Sequence, residues 1–322
     1  MKYIGVFLVL ALCAGVPVFA QDGGNLPLVG VLRINTPDTV EPMVTQFRAA
    51  LAALGQVDGR TIRLEYRLAE GHLDRFPELA QALVAENARV IVALGDPAIR
   101  AAQQATHSIP IIAMADDLVA SGLIASLARP GGNTTGVSIL ATELDAKKLE
   151  ILKHIIPAAR RSGVLSDPGN TVPARLRAIA DRARTLGVEL QIVEVHGAAD
   201  IAPAFAAFRA EGAEAIDILA SPLLNGLRKE IGRLSLDYRL PAICQFREAV
   251  EAGCLASYGV RLSDSFVMIA ALTDKMLKGA QPGETPAEQP TRVELVINQR
   301  VARAIGIEIP AAILDGADEV IE

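Results

Sequence analysis

The chain has 322 residues, of which 51% are hydrophobic, and its 37 Asp and Glu residues outnumber its 31 Lys and Arg residues. A net charge of −6 lacks the positive footprint of nucleic-acid-binding proteins, so we expect no nucleic-acid partner. Beyond the first 20 residues no segment approaches about 18 uninterrupted apolar residues, so the apolar side chains must fill a globular core, and the length suggests two domains.

Residues 1–20 are typical of a cleavable secretory signal peptide. Lys2 precedes an apolar run over residues 4–16, and the small Ala20 stands before the polar Gln21. The run is shorter than the roughly 20 residues that a membrane-spanning helix needs. We therefore expect a periplasmic protein that does not span the membrane after cleavage.

Short apolar segments alternate with amphipathic segments in the first half of the remaining chain. The apolar segments predict strands over 28–34, 62–66, 90–93 and 109–114. Apolar residues recurring at spacings of three and four predict helices over 39–54, 73–86 and 97–106. This alternation is typical of a parallel sheet covered by helices on both faces.

The second half repeats this plan at an offset of about 125 to 135 residues. Segment 28–32 is echoed by 161–165, segment 88–97 by 213–222, and segment 108–112 by 239–243. A period of this length indicates a repeated domain rather than a solenoid. The sequence therefore predicts an α/β protein with two doubly wound parallel-sheet lobes.

Polar, Gly and Pro residues follow the predicted strands of both halves. Ligands of open parallel sheets bind beyond the carboxyl ends of the strands, and two facing lobes would form a cleft there. We predict that a small-molecule ligand binds in this cleft. The candidate ligand-binding residues are Asn35, Thr36, Gly95, Asp96, Pro97, Asp116, Asp117, Asp167, Asn170, Ser221, Pro222, Asn225, Phe246 and Tyr258.

Two of these loops place a capping side chain before a Pro at the first helical position, as Asp96-Pro97 and Ser221-Pro222. Such a start serves either the helix alone or a ligand carboxylate at the positive helix end. The acids in these loops leave a second alternative open. Asp96, Asp116 and Asp117 suit either a ligand ammonium or solvated loops.

Aromatic and cysteine residues in the second half leave further alternatives open. Phe246 and Tyr258 suit either a cleft wall or a core, and we favour the cleft for Phe246 because polar residues follow it. Cys244 and Cys254 lie near the ends of predicted strands, where they would either form a disulfide or remain two buried thiols.

Motifs of catalysis, metal binding and nucleotide binding are missing from the sequence. The four His residues have no paired spacing, and neither Gly-x-Ser-x-Gly nor His-Glu-x-x-His occurs. Segment 129–136 is rich in Gly but lacks the spacing of a phosphate-binding loop, so we predict a turn there. We predict no catalytic residue, no metal and no cofactor.

Several motifs resemble those of the extracytoplasmic substrate-binding proteins of ABC importers, including importers of the aromatic-amino-acid type. The resemblance covers almost all of the chain after residue 20. It is carried by Ile62-x-x-Glu65-Tyr66-Arg67, Ser126-Leu127-Ala128-Arg129-Pro130-Gly131-Gly132-Asn133, Phe246-Arg247-Glu248, Ser257-Tyr258-Gly259 and Glu294-Leu295-Val296-Ile297-Asn298. The chain departs from the family pattern at Asp96, Leu118, Ser221 and Cys244.

The resemblance implies the type I periplasmic-binding-protein architecture, in which a hinge joins two lobes and closes them on a ligand. Chain crossings are expected near 136–138, near 257–259 and before residue 294. The expected lobes are 27–137 with 259–285, and 138–258 with 286–322. The resemblance also implies a monomer that delivers its solute, such as an amino acid, to an ABC permease and its ATPase.

Three functions remain open at this point. The first is an importer's binding protein, and the second is a stand-alone sensor with the same fold. Both would bind the ligand reversibly without turnover. The third is an exported α/β enzyme, and the absence of catalytic motifs argues against it.

Overall fold

The computed structural model describes residues 26–322, apart from the side chains of residues 38–42. The predicted signal peptide over residues 1–20 lies outside these described residues. Within them, no helix is both long enough and apolar enough to cross a membrane.

The first lobe contains a five-stranded sheet. Its strands are β1 (Leu28–Arg33), β2 (Arg63–Leu68), β3 (Val90–Leu94), β4 (Ile111–Ala115) and β5 (Thr134–Ser138). Neighbours in the order β2-β1-β3-β4-β5 pair in parallel. The helices between them are α1 (Pro37–Ala53), α2 (Phe76–Ala85) and α3 (Asp96–Ala105).

All four strands and all three helices predicted for this half are confirmed, with ends that differ by a few residues. The prediction of a turn over 129–136 was wrong at its C-terminal end, because β5 begins at Thr134. Both Thr134 and Thr135 are buried in this strand. Because threonine is polar, the sequence pattern did not indicate a buried strand here, although the β-branched threonine side chains pack inside the lobe.

The second lobe contains a seven-stranded sheet in the order β12-β11-β10-β9-β8-β6-β7, defined as follows. Its strands are β6 (Arg161–Ser166), β7 (Glu189–Glu194), β8 (Ala215–Ile218), β9 (Ala242–Cys244), β10 (Ala256–Val260), β11 (Val293–Asn298) and β12 (Glu319–Ile321). Every pair is parallel except β10 with β11, which are antiparallel. The prediction of parallel sheets therefore holds apart from the pairing of β10 with β11.

Helices cover both sheets. In chain order after β5 they are α4 (Ala141–Ile155), α5 (Pro173–Thr185), α6 (Ile201–Ala210), α7 (Pro222–Gly226), α8 (Arg228–Tyr238), α9 (Arg247–Glu251), α10 (Leu262–Leu277), α11 (Gln299–Ile305) and α12 (Ala311–Asp315). Helix α10 follows β10 but packs against α1 and the first sheet. The chain therefore passes to the second lobe after β5, returns after β10 and passes back before β11. The exact lobe boundaries remain a prediction.

Segments 28–32 and 161–165 share a central glycine, and packing explains why glycine stands there in both. A Cβ atom on Gly30 of β1 would lie 2.5 Å from Leu83 of α2. A Cβ atom on Gly163 of β6 would lie 2.7 Å from Phe208 of α6. In each lobe the glycine lets a helix pack closely on the sheet.

Cys244 and Cys254 are both buried free thiols. The sequence left open a disulfide or two buried thiols, and the structure shows two buried thiols without a disulfide. Cys244 Sγ lies 3.3 Å from the carbonyl oxygen of Ala256. Burial raises the pKa of the Cys244 thiol well above its usual value, which keeps it protonated.

Candidate functional site

A cavity lies between the two lobes, at the carboxyl ends of β1, β3 and β4 on one side and of β6, β8 and β9 on the other. It encloses about 390 Å³ of empty volume, including the part open to solvent. We call it the cleft cavity. Its walls are Arg33, Gly95, Met114, Ala115, Asp116, Ile139, Asn170, Ala220, Ser221, Pro222, Asn225, Phe246 and Leu262.

Seven of the predicted ligand-binding residues come together in these walls. They are Gly95, Asp116, Asn170, Ser221, Pro222, Asn225 and Phe246. They belong to both lobes, as the expectation of facing loops requires. The other seven lie in the structure around the cavity or away from it.

Contacts between the lobes surround the cleft cavity. Asn170 Oδ1 accepts a hydrogen bond of 3.0 Å from the backbone N–H of Asp96. Asn35 Nδ2 donates to the carbonyl oxygen of Pro222 at 3.1 Å. A Cβ atom on Gly95 would lie 2.9 Å from the Pro222 ring, so only glycine permits this approach. The lobes are therefore closed against each other.

The interpretation of Asp96 as a capping residue was wrong. Helix α3 starts at Asp96 itself, and Gly95 precedes it with φ of 92° and no side-chain cap. The Asp96 N–H is instead satisfied by Asn170 of the opposite lobe. Ser221 does cap its helix, because its hydroxyl accepts a hydrogen bond of 2.9 Å from Leu224 N–H.

Asp116 lies in the wall of the cleft cavity and is paired within the protein. Its carboxylate forms an ion pair across the cleft with Arg175 of α5. Burial raises the pKa of Asp116 to about 7, although Arg175 opposes this shift. Arg175 is itself buried and also pairs with Asp145 of α4, with 2.5 Å between Nε and Oδ2.

Other predicted acids serve the loops in which they lie. Asp117 Oδ1 accepts hydrogen bonds from the N–H groups of Val119 and Ala120 at 3.0 and 2.9 Å, which makes a local turn. Asp167 accepts hydrogen bonds from Gly169 N–H at 2.9 Å and from Asn170 Nδ2 at 2.7 Å. Asp167 therefore positions the Asn170 side chain instead of lining the cavity.

The remaining predicted residues lie at the edges. Asn35 and Thr36 line a separate cavity beside the cleft, with about 440 Å³ of empty volume. Pro97 approaches Gly169 of the opposite lobe, where a Cβ atom would lie 3.3 Å from the proline ring. Tyr258 is half-buried against the hydrophobic cores. It is not among the residues of the cleft wall, so its structural setting is that of a core aromatic.

Sequence reasoning missed six residues of the cavity wall, which are Arg33, Met114, Ala115, Ile139, Ala220 and Leu262. Five of them are apolar and lie at or next to strand and helix ends, where they look like ordinary core residues. Arg33 had a visible signal. It is a charged residue that directly follows the apolar strand segment 28–32.

Polar atoms in and beside the cleft cavity have unmet hydrogen-bonding capacity. Asn225 Oδ1 and Gln245 Oε1 are buried without a hydrogen-bond partner in the described part of the chain. Arg228 lies next to them and donates from Nη1 to the carbonyl oxygen of Asn225 at 2.9 Å. Buried polar atoms normally have partners, so these two oxygens have hydrogen-bonding capacity to spare.

Over residues 26–322 no group of three or more His, Cys, Asp or Glu side chains is placed to hold a metal ion. The cavity wall offers mainly apolar surface, together with amide groups, the Arg33 guanidinium and the Asp116 carboxylate, an arrangement typical of small-molecule binding sites.

Two α/β lobes with a cavity between their sheets have the type I periplasmic-binding-protein fold, as predicted. The sequence profile of the ABC transporter substrate binding protein family matches residues 28–321, and the chain belongs to this family. Such proteins bind substrates outside the cytoplasm and are not enzymes.

Individual proteins and solved structures are also similar to this chain. The chain is similar to a tyrosine-binding protein of Clostridioides difficile, with 24% identity over 87% of this chain and 81% of that protein. A conserved domain protein from Vibrio cholerae has a similar structure, with a TM-score of 0.85, 26% identity, and 92% and 100% of the two chains covered. An ABC domain from Streptococcus pneumonia, solved in complex with L-Trp, has a TM-score of 0.83 at 24% identity, with the same coverage.

Proposed function

We propose that the protein is the periplasmic binding component of an ABC importer. In this proposal the two lobes close on an amino acid in the cleft cavity, and the closed form delivers it to a membrane permease and its ATPase. Residues 1–20 would direct export and be removed. Closure of two lobes around a solute is a recurrent structural switch.

The cleft cavity is the observation that carries this proposal. Both lobes contribute walls to it, so a ligand bound there contacts both and stabilises the closed form over an open one. Its apolar walls include Met114, Ile139 and Phe246, and the carboxamide of Asn225 supplies an unpartnered acceptor within the described part of the chain. This combination suits a solute with an apolar side chain and a polar head.

Relatives support the amino-acid class of the ligand. One relative is named as a tyrosine-binding protein, and the structure from Streptococcus pneumonia contains L-Trp. We therefore propose L-tyrosine and L-tryptophan as the first ligands to test.

Asn225→Ala tests the site. Isothermal titration calorimetry with L-tyrosine and L-tryptophan should show binding by the native protein. Loss of one ligand hydrogen bond should weaken this binding roughly three- to tenfold. Gln104→Ala is the matched control, since it removes a carboxamide from an exposed position on α3. Equal affinities of Asn225→Ala and the native protein would remove Asn225 from the site.

Transport requires a separate test. Cells that lack the gene should take up the bound amino acid more slowly, and the native gene should restore the uptake. Unchanged uptake alongside clear binding in vitro would contradict the importer role while leaving the binding site intact.

A further inference from the structure

Arg33, at the end of β1, is a buried cation in the wall of the cleft cavity. Only 5% of the residue is exposed. Its described hydrogen-bond partners are uncharged, since Nε donates to Asn35 Oδ1 and Nη1 contacts Met43 Sδ. Among the residues whose side chains are described, no carboxylate lies within ion-pair distance of this guanidinium.

A buried charge without a counter-ion is costly, and the surroundings of Arg33 add to the cost. Burial lowers the pKa of Arg33 to about 10, and the positive charge of Arg228 acts in the same direction. Arg33 still carries its proton at neutral pH. The positive charge of Arg33 therefore lies in the cavity wall, and no described side chain provides a counter-ion for it.

Arg228 strengthens the positive potential at this end of the cavity. No carboxylate with a described side chain forms an ion pair with Arg228 either, and its guanidinium donates instead to the carbonyl oxygen of Asn225. The positive charge of Arg228 acts to lower the pKa of Glu248, but burial has the larger effect and raises this pKa. The nearby acid Asp116 is already paired with Arg175. Arg33 and Arg228 thus have no ion-pair partner among the described side chains.

We infer that Arg33 is the anion anchor of the cleft and binds a carboxylate of the ligand. A guanidinium suits this role because it can donate two parallel hydrogen bonds to one carboxylate. The inference rests on the proposed location of the ligand site, and it adds the chemical group that is recognised there. The apolar wall formed by Met114, Ile139 and Phe246 then receives the rest of the molecule.

The same carboxylate occurs in amino acids and in simple organic acids, so the binding test uses three probes. They are L-tyrosine, its deaminated acid hydroxyphenylpropionate, and tyramine, which lacks the carboxylate. We expect the carboxylate-bearing probes to bind and tyramine to fail. Binding of L-tyrosine alone identifies an amino-acid site, whereas equal binding of both acids identifies an organic-acid site.

Arg33→Met keeps the approximate length of the side chain and removes its charge. It should weaken binding of the carboxylate probes about ten- to hundredfold, the effect of losing a charge-assisted hydrogen bond. Arg89→Met is the matched control, because Arg89 is exposed and precedes β3 at the opposite end of the same sheet. Tyramine binding as tight as tyrosine binding, or an affinity unaffected by Arg33→Met, would overturn the inference.

The melting temperature of the ligand-free protein provides a test that needs no ligand. If Arg33 is reserved for a ligand anion, Arg33→Met removes a buried charge that has no counter-ion among the described side chains, and it should raise the melting temperature. If Arg33 serves the fold, the melting temperature should fall, and the inference is wrong whatever the probes do. A raised melting temperature with no binding of any probe would contradict the proposed amino-acid ligand and support the anion anchor.

Discussion

The close approach of helix to sheet in each lobe depends on a single residue, the glycine in the middle of the first strand. Gly30 and Gly163 hold equivalent positions in β1 and β6, and each faces a fully buried side chain. Side chains in a close-packed core cannot move aside without cost. A methyl group at either glycine should therefore force the facing helix or its side chain to shift.

Gly163→Ala tests this packing. The new Cβ atom would lie 2.7 Å from Phe208 Cδ1, so we expect the free energy of unfolding in urea to fall by about 1–3 kcal/mol, as for other overpacked cores. Gly197→Ala is the control, because its backbone is extended and a Cβ atom there would meet no described neighbour within 4 Å. Similar effects of the two substitutions would show that packing at Gly163 is loose.

At the scale of elements, a buried ionic cluster joins α4, α5 and β8 beneath the cleft. Arg175 of α5 pairs with Asp145 of α4, while Lys148 of α4 pairs with Asp145 at 3.1 Å and with Asp217 of β8 at 2.6 Å. All four side chains are almost completely buried. Each charge needs its partners, since a single buried charge left alone is strongly unfavourable.

Arg175→Met should destabilise the protein by about 3–5 kcal/mol, because it leaves Asp145 and Asp116 without their guanidinium. Arg182→Met is a matched control on the same helix. Arg182 also pairs with a carboxylate of α4, Glu150, but 37% of its side chain is exposed, against 1% for Arg175. We expect the control to cost about 0–1 kcal/mol. Chemical denaturation measures both, and equal costs would show that burial does not determine the strength of these pairs.

The elements that sequence reasoning found and missed differ in physical terms. Buried strands such as β1 and β3 could be predicted because their residues are almost all apolar. The seven candidate residues in the cavity wall were predicted from the loops that follow such strands. Strand β5 was hidden by its polar Thr134 and Thr135. The pairing of Asp116 with Arg175 joins residues 59 positions apart from two lobes, and local patterns carry no information about such a contact.

At the scale of the whole molecule, the closed arrangement is held by polar contacts at the rim of the cavity. They are the bonds of Asp96 N–H to Asn170 and of Asn35 to Pro222, and the ion pair of Asp116 with Arg175. The ion pair extends the buried cluster of the second lobe to the first lobe. Under the proposed function, opening the cleft would separate Asp116 from this cluster and return its carboxylate to water.

The stability of the protein should therefore depend on pH through Asp116. Its pKa is about 7 in the folded protein because of burial, against 3.8 as the ordinary value. Between these values the folded protein holds a proton that the unfolded chain has released, so the free energy of unfolding should fall as pH rises through this window. Asp217, with a pKa raised to about 6 by burial, acts in the same direction.

Thermal unfolding between about pH 5 and pH 8 measures this dependence, and the melting temperature should decrease as pH rises. Asp116→Asn keeps the shape of the side chain but cannot release a proton, so the decrease should become shallower. Asp217 and the other acids whose pKa burial raises, among them Glu248, contribute to the dependence that remains. Asp117→Asn is the neighbouring control, because that acid serves only a local turn among its described contacts. A melting temperature that rises with pH in the native protein would mean that Arg175 keeps Asp116 ionised in the closed form.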